Sequence, residues 1–242
     1  MRSLTHTINA LLQKLAAAMV AQQRFIENAA HQLRTPLAGL KIQAERAMRA
    51  GDTDSMKPAL AYIKTSADRV SHLSTQLLVL ARSESVMQGA PELKTVDFGR
   101  LTRECCMEWV PKALERGMEM GFEAPSGCIP IEGNETLLRE LLNNLLDNAI
   151  RYGRDKGQIS VKLDYDPRPV LVVEDDGPGI PGIERDNVFE RFYRIPGSPG
   201  EGCGLGLAIV KEIADLHQAR VSIAGAVLFD HGIRIEVTFQ GP

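Results

Sequence analysis

Apolar side chains in the N-terminal third of the chain fall at three- and four-residue spacing. Leu4, Ile8, Leu11, Leu15 and Met19 recur as in a coiled coil, and the pattern runs without a breaker into Phe25, Ala29, Leu33, Leu37 and Leu40. The spacing predicts one helix from about Leu4 to Ala50, stopped at the turn pair Gly51-Asp52. Asp54 or Ser55 caps a second helix, whose apolar face is Leu60, Ile63, Ala67, Val70, Leu73, Leu77, Leu78 and Leu80 and which ends near Ser85. A short turn between two long helices makes an antiparallel hairpin. Two wide stripes cannot both be buried within one hairpin, so two copies are expected to pair into a four-helix bundle, making the protein a homodimer.

Gln88-Gly89-Ala90-Pro91 breaks this pattern, and after it helices and short strands alternate. Val96-Asp97-Phe98 leads into a helix through Trp109 and Leu114; Met118 to Glu123 and Cys128 to Glu132 read as strands; Asn134 to Tyr152 is a helix. Gln158 to Asp164 and Pro169 to Glu174 are strands, Leu205 to His217 a helix, and Arg220 to Ile223 and Ile233 to Phe239 complete a sheet. The fold expected is an all-α hairpin followed by an α+β two-layer sandwich.

Composition narrows the function. The 242 residues are 44% hydrophobic and 24% charged, which suits a core-forming globular chain. A net charge of −3 without a basic tract argues against nucleic acid as a partner. Cys105, Cys106, Cys128 and Cys203 have no C-x-x-C spacing, so neither a zinc knuckle nor a disulfide framework is expected, and a reducing cytoplasm is the simple inference. No apolar run is long enough to span a bilayer and no signal peptide is legible, so the chain as given is expected to be soluble.

The first stretch that carries chemistry is His31-Gln32-Leu33-Arg34-Thr35-Pro36-Leu37. His31 falls off the apolar stripe, with Arg34 and Thr35 one turn on along its own face. Pro36 removes a helical donor and predicts a bend one turn past the histidine. Three further stretches lie in the second domain. In the helix Glu135 to Gly153, Glu140, Asn144, Asn148 and Arg151 form a polar ladder, and carboxamide oxygens beside a carboxylate suit Mg²⁺ shared with phosphates. Asp175-Asp176-Gly177-Pro178-Gly179 follows a buried-type strand, where glycines allow a tight turn and an aspartate can accept from an exocyclic amine. Glu201-Gly202-Cys203-Gly204-Leu205-Gly206-Leu207 opens a helix, whose first N–H groups suit an anion.

The His31 stretch resembles the phospho-acceptor H-box of HisKA-type bacterial sensor histidine kinases. The later stretches, with Val188-Phe189-Glu190-Arg191-Phe192-Tyr193-Arg194, resemble that family's N, G1, F and G2 boxes in order and spacing. The resemblance covers nearly the whole chain. It implies the GHKL (Bergerat) ATP-binding fold, ATP and Mg²⁺ as cofactors, autophosphorylation of His31, and transfer to an aspartate on a response-regulator receiver domain. By the same resemblance Gln32 stands where relatives carry a general base, Thr35 orients water for regulator dephosphorylation, and Glu140 and Asn144 hold the metal. Nucleotide contacts would come from Asn144, Asn148, Arg151, Tyr152, Asp175, Gly177, Gly179, Ile180, Gly202, Gly204, Leu205 and Gly206. Arg191 and Arg194, in an ATP lid running from Ile180 to Glu201, would meet the phosphates. Residues 1–22 are similar to the last helix of a HAMP linker; 23–88 would be the dimerisation and phosphotransfer domain, 89–92 a linker and 93–242 the catalytic domain. The chain would then be the part of a membrane-anchored sensor on the cytoplasmic side of the inner membrane, without its N-terminal sensor part. The acceptor helix is similar in wording to that of tricarboxylate-sensing members. A GHKL-type ATPase and a degenerate dimeric interaction module are the alternatives left open.

Overall fold

The computed structural model describes residues 2–49, 53–84, 93–165, 167–198 and 202–241. It divides into two compact units, Met1–Leu77 and Leu78–Pro242. The first unit is built from α1 (Arg2–Arg49) and α2 (Thr53–Glu84) up to Leu77, the last turns of α2 belonging to the second unit. The turn at Gly51-Asp52 and the linker at 89–92 lie outside the described residues; α2 already begins at Thr53, so Asp54 and Ser55, the expected caps, stand inside the helix rather than ahead of it.

The two helices form a hairpin in which the Tyr62 side chain reaches across to Gly39, where an added Cβ would lie 2.7 Å from its hydroxyl oxygen. Pro36 deprives the Gln32 carbonyl of its usual donor, yet α1 runs on unbroken to Arg49. The inward positions of α2 include Met56, Ala59, Ile63, Ser66, Val70 and Leu73 at heptad spacing, followed by Gln76, Val79 and Leu80, so that a serine and a glutamine are among them. On α1 they are Ala29, Leu33, Pro36, Leu40, Gln43 and Ala47. The register therefore differs from the one that apolar letters alone suggest. Leu37, Leu60 and Ala67 face outwards, since small and polar residues take the close-packed positions. In the single chain Ile8, Leu15, Met19, Ile26 and Ile42 are also uncovered, and Leu11 is 68% exposed.

The second unit is a two-layer sandwich. Its five-stranded sheet has the order β2 (Glu119–Glu123), β4 (Gln158–Tyr165), β5 (Pro169–Asp175), β7 (Ile233–Thr238), β6 (Arg220–Gly225). β2 and β4 run parallel and the other pairs antiparallel. Alternation along the strands puts Val161, Leu163, Leu171, Val173, Ile235 and Val237 into the core. There they meet α3 (Phe98–Glu115), α4 (Glu135–Tyr152) and α5 (Gly206–Leu216). A second, two-stranded sheet pairs β1 (Lys94–Asp97) with β3 (Pro130–Gly133). The strand β1 has no apolar alternation to reveal it; pairing with β3 and the Asp97 cap of α3 hold it in place. Phe98 closes this end, its ring edge-on to Phe239 at 4.9 Å. Among the described residues no helix is long and apolar enough to cross a membrane.

Candidate functional site

Helix α4 is fixed at both ends. Asn134 caps its start by accepting from the Leu137 N–H at 3.1 Å, while the Asn134 N–H donates to Nε2 of His217, at the end of α5, at 3.0 Å. The His217 Nδ1 pairs with the Ile213 carbonyl at 2.7 Å, so the ring is the neutral Nδ1–H tautomer. Burial pushes its pKa below the usual value, more than the Ile213 bond restores. At the other end the Arg116 guanidinium donates to the carbonyls of Ile150, Arg151 (3.1 Å) and Gly153 (3.2 Å), filling acceptors that a helix C-terminus leaves open.

Between these anchors Leu138, Leu141, Leu142, Leu145 and Leu146 enter the core. The predicted ladder occupies the other edge. Asn144 is 2% exposed and its Nδ2 donates to the Glu140 carbonyl (2.8 Å) and to Glu140 Oε1 (3.1 Å). Its Oδ1 faces the G2 turn, where a Cβ on Gly206 would stand 3.3 Å from it and 3.2 Å from Asn148 Nδ2. Arg151 is paired with Asp147 at 2.8 Å. A Cβ on Gly202 would come within 3.1 Å of the Tyr152 hydroxyl oxygen.

The G1 turn lies against the same end of α4. Asp175 closes β5, and its Oδ1 accepts from the Gly177 N–H at 2.9 Å. Burial pushes its pKa up to about 7; the Gly177 bond opposes this and the neighbouring Asp176 adds to it. A Cβ on Gly177 would meet the Tyr152 carbonyl at 2.5 Å, so only glycine fits. Asp176 lies over Gly157 and accepts from the Arg154 N–H at 3.4 Å. Ile180 is half-buried at the turn's exit. Leu205 is buried, and α5 starts at Gly206 with no side-chain cap, leaving its first N–H groups to another acceptor.

The segment after Ile180 that is expected to form a lid is threaded by backbone contacts. The Phe192 N–H donates to the Gly204 carbonyl at 2.8 Å, and Gly204, at φ +71°, lies against Phe192 and Tyr193. Two short 3₁₀ turns, Gly182–Glu184 and Asn187–Phe189, break the lid, and the Tyr193 hydroxyl donates to Glu184. Arg191 is paired with Glu212 of α5 at 3.3 Å, and Arg194 donates to the Ser198 carbonyl at 3.2 Å. Glu201 lies outside the described residues.

In the first unit His31 and Gln32 are exposed on α1. The Thr35 hydroxyl donates to the His31 carbonyl at 3.3 Å. The predicted site residues thus form two sets. Asn144, Asn148, Tyr152, Asp175, Gly177, Gly202 and Gly206 come together in the second unit, and His31, Gln32 and Thr35 stand together in the first. Arg116, Glu174 and His217 were not legible in the sequence as parts of this framework. A divalent ion here would need ligands from elsewhere, because among the described residues no three His, Cys, Asp or Glu side chains cluster to hold one. Glu140 with Asn144 fits an ion that also takes phosphate oxygens.

The family model for the histidine kinase-, DNA gyrase B- and HSP90-like ATPase matches residues 133–241, and that for the His Kinase A (phospho-acceptor) domain matches residues 21–86. The sensor protein kinase PmrB of Pseudomonas aeruginosa is 33% identical over 240 residues, covering 98% of this chain and 49% of that protein. The sensor protein QseC of Escherichia coli K12 is 36% identical over 228 residues, covering 93% and 49%. The chain therefore spans about half the length of these relatives. The solved cytoplasmic segment of histidine kinase QseC is 25% identical with a TM-score of 0.51, covering 72% of this chain and 95% of that one. None of these names carries the tricarboxylate-sensing resemblance of the acceptor helix. The phospho-acceptor turn on α1, the ATPase-type sandwich and these matches lead to one assignment: the chain belongs to the HisKA-type sensor histidine kinases, of which it carries the phospho-acceptor and ATP-binding domains.

Proposed function

We propose that this chain is the phosphorylating part of a two-component sensor kinase. The γ-phosphoryl of ATP bound to the sandwich passes to an imidazole nitrogen of His31 and then to an aspartate of a response regulator. The observation that carries the proposal is the meeting of Asp175, the buried Asn144 and the uncapped start of α5 around one end of α4. Asp175 would accept from the adenine amine. The Gly177 and Gly179 turn and Ile180 would admit the base, and the N–H groups from Gly202 through Leu205 to Gly206 would face the phosphates. Glu140 and Asn144 would hold Mg²⁺, which neutralises charge on the transferring group. Asn148, Arg151, Tyr152, Arg191 and Arg194 would position the phosphates, the two lid arginines by exchanging their present partners for phosphate oxygens.

In the transfer a nitrogen–phosphorus bond forms while the bond from the γ-phosphorus to its bridging oxygen breaks, and ADP leaves with that electron pair. Neutral imidazole suits the nucleophile near pH 7. Gln32 has no basic site to take the imidazole proton, which leaves water or Glu27, one turn back on the same face of α1, to accept it. Thr35 would place a water for the reverse, regulator-dephosphorylating reaction. The uncovered stripe from Ile8 to Met19, with Ile26, Leu37, Ile42 and Leu60, supports burial against a second copy in a four-helix bundle. The likeness to a cytoplasmic segment of QseC supports a cytoplasmic place for this chain, and attachment to the inner membrane through an N-terminal sensor part belongs to the same proposal.

The test is incubation with γ-labelled ATP and Mg²⁺, then with a receiver domain. Label on the chain that is stable to base, labile to acid and chased onto the receiver is expected. Release of phosphate without a labelled chain would instead identify an ATPase.

A further inference from the structure

Beside the nucleotide turn stands a hairpin that the proposed function does not use. β6 and β7 end their pairing at Gly225 and Ile233, and the chain between them returns through Gly232. Gly232 has φ +128°, and a Cβ there would lie 1.8 Å from the Asp175 carbonyl oxygen and 3.0 Å from the Asp176 Cα. On its other side a Cβ on Gly179, itself at φ +74°, would lie 2.9 Å from the Gly232 carbonyl oxygen. The return of the hairpin is therefore packed between the strand end that presents Asp175 and the glycine that closes the G1 turn.

One side chain fixes the hairpin's shape. Glu174 precedes Asp175 on β5 and points to the opposite face of the sheet. It is 1% exposed. Its Oε2 accepts from the N–H groups of Val227 and Leu228, both at 3.0 Å, and its Oε1 from Arg234 Nη1 at 2.8 Å across the β5–β7 pair. A buried carboxylate is retained only with donors of this kind. Yet the tip it holds buries little, for Val227 is 73% exposed and Leu228 also faces solvent. The clamp sets the course of the chain into Gly232 rather than covering apolar surface.

We propose that the β6–β7 hairpin is a buttress for the nucleotide turn, and that Glu174, through Val227, Leu228 and Arg234, is a positioning residue for ATP binding. The proposal rests on the ATP-site reading above. It predicts that Glu174→Gln weakens binding of a fluorescent ATP analogue about five-fold, within the range by which residues that touch no ligand modulate affinity. Arg234→Lys should weaken it less, and Lys211→Ala, which breaks a solvent-facing pair with Asp215 on α5, should leave it unchanged. At saturating ATP the rate of label incorporation should stay at the wild-type value, so the effect appears in KM and not in kcat. Hydrogen exchange supplies the readout that simple loss of stability would not move. In Glu174→Gln the amides of Gly177 and Gly179 should lose protection together with those of Val227 and Leu228, while the amides of β4 keep theirs. Wild-type affinity in Glu174→Gln, or lost protection confined to 226–232, would overturn the buttress. Should Glu174→Gln fail to fold, the same two measurements on Arg234→Lys decide, and wild-type values there overturn it. Absence of nucleotide binding by the wild-type chain would overturn the ATP site instead.

Discussion

Replacing Arg116 by alanine tests whether α4, the backbone of the proposed nucleotide site, depends on a cap supplied from another element. The guanidinium serves the carbonyls of Ile150, Arg151 and Gly153 while its Nε donates to Asp155 at 2.8 Å. A hydrogen bond to a charged group contributes about 1.5–3 kcal/mol and a cation at a helix C-terminus about 0.3–1 kcal/mol. The three carbonyls share one cation and the side chain is 32% exposed, so the contributions overlap and are partly screened. A loss of about 2–3 kcal/mol is expected, or about 5–10 °C in midpoint for a domain of this size. Trp109 is the sole tryptophan, and its Nε1 donates to Asn143 on α4 at 2.9 Å, so thermal unfolding followed by its fluorescence reports on this domain. Arg116→Lys keeps the cation without the fork and should recover about half of the loss. Asp155 is 78% exposed, and Asp155→Ala should cost at most about 0.5 kcal/mol. A midpoint within about 1 °C of wild type for Arg116→Ala, or an equal loss in Asp155→Ala, would refute the capping role.

Three other outcomes are expected. Asn144→Ala should reduce Mg²⁺-dependent label incorporation by about 100-fold, as removal of a group supporting transition-state charge does. Its thermal midpoint should stay near wild type, because alanine favours the helix interior, so activity and stability measured together separate a site role from a structural one. Two buried groups give the stability of the second unit opposite pH slopes. His217 has a folded pKa below its ordinary value of 6.5, so the unfolded chain binds more protons and this contribution is lost as pH falls below 6.5 through the folded value. Asp175 is raised from 3.8 to about 7, so its contribution is full below 3.8 and lost as pH rises through about 7. Midpoints measured from about pH 5 to 8 should therefore lose the acid-side decline in His217→Gln and lose the opposing rise in Asp175→Asn; identical profiles would contradict both. Gln32→Glu supplies the missing base and should raise single-turnover autophosphorylation at neutral pH by about 10-fold or more; no gain anywhere from about pH 6 to 9 would mean that proton removal does not limit the rate.

What was legible in the sequence was whatever local periodicity and turn chemistry encode. The helices α1, α2, α3, α4 and α5 and the five strands of the main sheet stand within a few residues of the spans that spacing predicted. The hairpin register was less legible, because its inward positions include Pro36, Ala59 and Ser66, while Leu37 and Leu60 face outwards. The strand β1 was missed because four residues with a lysine and an aspartate carry no pattern of their own. Within the site, Gly179 and Gly204 announce themselves through their glycine-rich motifs, and the structure puts both at positive φ. Gly157 and Gly232 do not, since the atoms that exclude a Cβ belong to Asp176 and Asp175, far away in sequence. Arg116, His217 and Glu174 act on partners 34, 83 and 53 residues distant, beyond the reach of spacing rules.

The central claim is that the exposed imidazole of His31 receives the phosphoryl group from ATP held near Asn144 and Asp175. Site-resolved mass spectrometry at neutral pH on the wild-type chain after incubation with ATP and Mg²⁺, run beside His31→Ala with nucleotide affinity measured on both, tests it most directly. One phosphoryl group on His31 of the wild type and none on His31→Ala, with ATP affinities within about two-fold of each other, is the predicted result. Phosphate found on another side chain, or retained in His31→Ala, would contradict it.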